Sequence, residues 1–322
     1  MKAIRFNQTG GPEVLDYVDV DLPPPGPGQV RVKHTVIGVN FIDTYHRSGL
    51  YKLPMPSGLG SEAAGVVEAA GAGVTSLKEG DRVAYAGAFG AYADANNVGA
   101  DRLVKIPAGI SDETAAAAML KGMTAQYLLK RTYAVKKGQT ILFHSAAGGV
   151  GLIAGQWAKH LGVTVIGTVG SDDKIALAKS NGYAHVLNSR EADWPKKVRE
   201  LTGGVGVPVV YDSIGKDTFA GSLDCLAVRG MFVSFGNSSG AVPAFEPGIL
   251  SAKGSLYLTR PTLASYTRNA AELQETADDL FSVIASGAVK IAVHQRFKLS
   301  EARQAHEALH SRATTGATVL IP

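Results

Sequence analysis

A single cysteine, Cys225, stands among 322 residues. It excludes an intramolecular disulfide and any zinc site built from several thiolates, and it suits a reducing compartment, so a cytoplasmic location is expected. No apolar run reaches the roughly 18 residues that a membrane helix needs. The opening MKAIRFNQTGGPEVL lacks the apolar stretch and small-residue cleavage site of an export signal, which predicts a soluble, unexported chain. Charge is sparse at 19%, and 32 basic against 28 acidic residues leave a net +4 with no run of five basic side chains. That pattern argues against nucleic acid as the main partner. What is plentiful is hydrophobic residues, 45%, and 38 glycines, the composition of a globular enzyme with many tight turns.

The length predicts two domains. Up to about Pro107, short β-like runs (Gln29 to Val36, Ala64 to Ala69, Arg82 to Ala86) alternate with Gly and Pro clusters such as LPPPGPG. From Ser111, a candidate N-cap, the texture changes to helices. Six apolar runs follow with helical segments between them: TILFH, VTVIGT, AHVLN, VPVVYD, MFVSF and SLYLT. Strands alternating with helices of this length imply a parallel, doubly wound α/β sheet. Two more helical stretches (Ala270 to Ser286, Ser300 to Ser311) and a last strand, ATVLIP, close the chain.

The segment ILFHSAAGGVGLIAGQWAKHLG reads strand, glycine turn, helix. Against a GxGxxG pattern, Ala146, Gly148 and Gly151 hold the three small positions, with Ala147, Gly149 and Val150 between them. Gly148 lets backbone approach a pyrophosphate, Gly151 lets the helix pack on the strand, and the helix start offers N–H groups to phosphate. A carboxylate that would hold the ribose hydroxyls of NADH is expected about 20 residues on, at the end of the second strand. Val169 stands there, followed by Lys174, which suits a 2′-phosphate, and by Ser171, which is expected both to cap the next helix and to donate to that phosphate. The residues therefore favour NADPH over NADH, with Asp172 and Asp173 read as favourable first-turn acids of the next helix.

Four segments, HSAAGGVGLIAGQWAKHLG, VNFIDTYHRSGLY, GSEAAGVVEAAGAGV and SFGNSSGAV, resemble bacterial quinone oxidoreductases related to zeta-crystallin, in the medium-chain dehydrogenase/reductase superfamily. The resemblance spans essentially the whole chain. It implies a GroES-like β-barrel domain over 1–122 and 262–322 around a six-stranded Rossmann domain over 123–261, with the cofactor in the cleft between them. Where zinc-dependent relatives carry a metal-binding Cys and His, this chain has Asn40 and Ser61, neither a good zinc ligand, so no metal is expected. The implied reaction is reduction of a quinone by hydride transfer from NADPH. Reduction of an α,β-unsaturated carbonyl is the alternative, and AU-rich RNA binding, suggested by relatives and by the RNP1-like RGMFVSF, is a third of another class.

Residue by residue, the resemblance places Asn40, Tyr45 and Tyr51 near the nicotinamide and Tyr127 in the cleft. It sets Gly148 and Gly149 at the pyrophosphate, Lys174 at the 2′-phosphate, and Phe235 and Arg312 elsewhere along the cofactor. At the adenosine, family members often have a Tyr where this chain has Ser189, so stacking is lost there unless Arg190 compensates. Plainer roles stay open: Tyr45 and Tyr51 as half-buried aromatics, Asn40 satisfying a loop, Phe235 as core, Arg312 as a solvated helix end.

Two motifs point elsewhere. His306 to His310 spell HExxH, but no third ligand follows, so a solvated helix face is expected. Gly236 to Gly240 match GxSxG after a strand, but Pro243 and Pro247 deny the helix that a nucleophile elbow requires. Finally, GSLYLTRP (Gly254 to Pro261) is an apolar strand at the sheet's end, and with the resemblance it predicts a homodimer.

Overall fold

The computed structural model describes residues 1–311 and 313–322. Contacts divide the chain into two compact units: 1–123 with 266–285 and 291–322, and 124–265 with 286–290. The family resemblance sets these breaks at 122 and 262. The small segment 286–290 goes with the second unit, and its Lys290 exchanges two hydrogen bonds with Gln156, at 2.9 and 3.0 Å.

The first unit opens with β1 (Lys2–Phe6), β2 (Asp16–Asp19), β3 (Gln29–Val39), β4 (Ser57–Gly58), β5 (Glu62–Ala70), β6 (Arg82–Ala86), β7 (Ala95–Gly99) and β8 (Val104–Lys105). Strand β3 shows why these pair as a one-sided sheet. Val30, Val32 and His34 alternate inward, while Arg31 and Lys33 face out, the period of a half-buried strand. Its core is built from Phe6, Leu15, Ile37, Leu59, Tyr85 and Tyr92.

The second unit holds β9 (Thr140–Phe143), β10 (Thr164–Val169), β11 (His185–Asn188), β12 (Val207–Asp212), β13 (Leu226–Ser234) and β14 (Tyr257–Thr259). Among the described residues they form one six-stranded sheet in the order β11-β10-β9-β12-β13-β14, every pair parallel. Parallel strands covered on both faces read as unbroken apolar runs, and Ile141, Leu142, Val209, Val210, Phe232 and Val233 are fully buried. All six apolar runs expected to be strands are strands.

The chain returns to the first unit through the helix Ala270–Ala285, β15 (Val293–Lys298), the helix Ala302–His310 and β16 (Ala317–Ile321). There β16 pairs antiparallel with β3, giving the order β15-β16-β3-β5-β6-β8, with β7 also on β3. The helix Asp112–Tyr127 starts where Ser111 predicts: the Ser111 hydroxyl accepts from the Thr114 N–H at 3.1 Å.

Candidate functional site

In the second unit, β9 runs through His144 into a tight turn, with Ser145 at φ 56, before the helix Gly149–His160 begins. Two backbone bonds hold the turn: Gly148 N donates to Ser145 O, and Ala146 N donates to Thr168 O, each at 2.9 Å. No side chain caps the helix, which leaves its first N–H groups for an anion. Gly151 has no room for a side chain: a Cβ would strike the carbonyl of Ser145 and come within 2.8 Å of the carbonyl of Ala146. This fits a pyrophosphate cradle formed by residues 147–151. At Gly148 a Cβ would lie 3.2 Å from Ser145 O, a milder crowding.

Strand β10 ends at Val169, which is buried and carries no carboxylate. Ser171 takes the N-cap position of the turn Asp172–Lys174, but its hydroxyl does not cap, a correction to the expectation. The backbone closes that turn instead, Lys174 N donating to Ser171 O at 3.3 Å. Asp172 is drawn aside by Asn188, whose amide donates to Oδ1 at 2.9 Å. Ser189 spends both its N–H and its hydroxyl on the carbonyl of Val169, at 2.8 and 3.1 Å. Phe235 follows the end of β13, half-buried, its ring 5.6 Å from that of Phe143, and Tyr127 ends its helix almost fully buried. Arg312 lies outside the described residues.

The first unit contains a buried polar chain that the sequence reading did not find. Asn40 precedes the helix Phe41–Ser48, and its backbone N–H donates to Asp43 Oδ2 at 2.9 Å. The same oxygen accepts from the Tyr92 hydroxyl at 3.0 Å. The Asn40 side-chain amide donates to Glu62 Oε2 at 2.7 Å, and Lys121 Nζ donates to that oxygen at 3.0 Å. Burial pushes the Asp43 carboxyl up to about 7. Tyr45, on the same helix, is buried, and Tyr51 stacks edge-on against it at 5.4 Å between centroids. The spacing Asn40-x-x-Asp43 was the one available signal of part of this chain. Glu62 and Lys121 lie 22 and 59 or more positions away from their partners and carry none.

Two motif readings are settled by burial. His306 does not lie on a solvated face: it is fully buried, its Nδ1 3.0 Å from Arg47 and its Nε2 3.1 Å from the Tyr92 hydroxyl. Both ring nitrogens are thereby engaged, and burial with the nearby Arg47 charge holds its pKa down to about 3. The second histidine of that motif, His310, is exposed, as is Glu307. The RNP1-like segment is β13, flanked by β12 and β14 with Phe232 fully buried, so that ring offers no stacking surface for a base. Among the described residues the GxSxG loop, with Ser238 at its centre, runs into no helix before Gly248.

Residues 26–137 match the alcohol dehydrogenase GroES-like domain, and residues 149–282 match the zinc-binding dehydrogenase family. The quinone oxidoreductase of Pseudomonas aeruginosa is 56% identical over 323 residues, spanning 100% of this chain and 99% of its own. A 2-haloacrylate reductase of a Burkholderia species is 45% identical, covering 99% of this chain and 98% of its own. The crystal structure of Escherichia coli quinone oxidoreductase complexed with NADPH superposes with a TM-score of 0.98 at 52% identity, over 100% of both chains.

Proposed function

Because the chain belongs to the quinone oxidoreductases of the medium-chain dehydrogenase/reductase superfamily, we propose that it reduces quinones with NADPH and without zinc. The observation that carries the reading is the turn at Gly148–Gly151, whose last glycine admits no Cβ, followed by a strand that ends at Val169 without a carboxylate. The names of its relatives supply the quinone, and the E. coli complex supplies the cofactor.

NADPH supplies a hydride from C4 of its nicotinamide. Ala147, Gly149, Val150 and Gly151 offer backbone N–H groups to the pyrophosphate, Gly148, whose own N–H is held by Ser145 O, lets the backbone approach it, and Ser171 and Lys174 meet the 2′-phosphate. Tyr127, Ser189 and Phe235 line the rest of the cofactor. Asn40, Tyr45 and Tyr51 stand at the nicotinamide, where the tyrosine hydroxyls or water deliver protons to the reduced acceptor. Asn40 and Ser61 replace the Cys and His of zinc-dependent relatives, so rate comes from orientation and exclusion of water rather than from a Lewis acid.

Turnover of a benzoquinone, a naphthoquinone and an enone, each with NADPH and with NADH, tests the proposal. Quinone with NADPH should be fastest. A faster enone would establish the second reading, reduction of an activated C=C bond, which the identity to 2-haloacrylate reductase favours.

A homodimer and a cytoplasmic site of action belong to the same proposal. Strand β14 is a sheet edge with Tyr257 58% exposed, an apolar edge that pairs readily across a two-fold axis. Sedimentation as a monomer at micromolar concentration would count against the dimer. The lone, buried Cys225 suits the cytoplasm, and recovery of the protein from a non-cytoplasmic fraction would overturn that assignment.

A further inference from the structure

Glu62 opens β5, is fully buried, and has no part in the roles above. Every lone-pair direction it needs is met: Oε1 accepts from Leu120 N at 2.6 Å, and Oε2 accepts from Asn40 and Lys121. Gly38 makes room for the carboxylate, since a Cβ there would strike Glu62 Oε2 and stand 2.5 Å from Ala116 O. A charge this deep needs a partner, and Lys121, 6% exposed, provides it.

The consequence falls on Asn40. An ionised carboxylate only accepts hydrogen bonds, so the Asn40 amide nitrogen must face Glu62 and its carbonyl oxygen must face away. Asn40 and Asp43 face each other as a capping box at the helix start, but among the described residues no side-chain cap bond closes on that oxygen; the side chain's bonds, to Glu62 and more weakly to Gly38 O at 3.5 Å, all run through Nδ2. We propose that Glu62, held by Lys121, is a positioning residue that locks Asn40 with its carbonyl outward, so that Asn40 accepts a hydrogen bond from the carboxamide NH2 of the nicotinamide. Asn40 then gives nothing to a quinone oxygen, which is itself an acceptor, and that donation falls to other groups. The inference rests on the placement of Asn40 at the nicotinamide proposed above.

The test compares binding of NADPH with binding of its reduced 3-acetylpyridine analogue, in which a methyl replaces the carboxamide NH2. Glu62→Gln alone strands the Lys121 charge, so the deciding variant is Glu62→Gln with Lys121→Met. In it Leu120 N holds the glutamine oxygen, the glutamine nitrogen takes the place of Oε2, and Asn40 must turn its own oxygen inward. Wild type should bind NADPH roughly tenfold more tightly than the analogue, the value of one buried hydrogen bond. The ratio should fall to about one both in Asn40→Ala and in the paired variant. A merely structural role for Glu62 would weaken both ligands equally and leave the ratio standing. Retention of the ratio in the paired variant, with its loss in Asn40→Ala, overturns the role of Glu62 alone. Retention in Asn40→Ala overturns the contact of Asn40 with the carboxamide, and failure of wild type to bind NADPH overturns the proposed function itself.

Discussion

Replacing Asp43 with asparagine isolates the cost of holding a carboxylate in the core of the first unit. Both hydrogen bonds that Asp43 accepts, from Asn40 N–H and from the Tyr92 hydroxyl, fall on the single oxygen Oδ2, so an amide oxygen in its place keeps both. What changes is the charge. Burial raises the carboxyl from 3.8 to about 7, against the lowering effects of those hydrogen bonds and of Lys121. A raised folded-state pKa contributes stability that is fully present below 3.8 and lost as pH rises through about 7. At 1.36 kcal/mol per pKa unit the full loss is about 4 kcal/mol, of which roughly 2.5 falls between pH 5 and pH 8. The neighbours leave that window clear: His306 is held down to about 3, and burial lifts the Tyr92 hydroxyl well above its ordinary range. Urea unfolding of wild type and Asp43→Asn at pH 5, 6, 7 and 8 measures the difference. Asp43→Asn should gain on wild type by about 2.5 kcal/mol across the series. Parallel stability curves would refute the argument, because they would mean that Asp43 is solvated or ionised throughout.

Gly151→Ala should push the helix Gly149–His160 off the turn, since its Cβ meets two carbonyls; crowding of this kind costs about 1–3 kcal/mol. Calorimetry and NADPH titration should both register it, and wild-type cofactor affinity would show that the turn does not cradle the pyrophosphate. Lys174→Ala should weaken NADPH by roughly tenfold to a hundredfold while leaving NADH nearly unchanged, the worth of a charge-assisted phosphate contact. Equal losses for both cofactors would remove Lys174 from the 2′-phosphate.

Local pattern carried the second unit almost whole. The six apolar runs became the six strands, because a parallel strand buried on both faces has a composition that no loop shares. The turn of residues 145–151 was legible for a similar reason: close backbone approach demands small residues at fixed spacing, and the Cβ clash at Gly151 is that demand expressed as geometry. Val169 was legible as an absence, because a missing carboxylate at a known distance from the glycines is itself a pattern.

Partnership between distant side chains was not legible. His306 lies in a helix whose other polar residues, such as Arg303, Gln304 and Glu307, are exposed, and periodicity alone placed it with them; only the arrival of Arg47 and Tyr92 from 259 and 214 positions away shows it to be buried and paired. Ser171 reads as a capping residue, yet whether its hydroxyl or the backbone closes the turn depends on a torsion that sequence does not specify. Nothing in the sequence singles out Glu62 or Lys121, because charges ordinarily lie at the surface and a buried pair looks no different in one dimension. Composition and spacing thus determined the parallel sheet and the glycine turn of residues 145–151, both of which depend on residue type within a short window. Tertiary structure alone decided which buried charges meet and which way the Asn40 amide faces, because a hydrogen bond is set by the distance and direction between atoms that the chain brings together only when it folds.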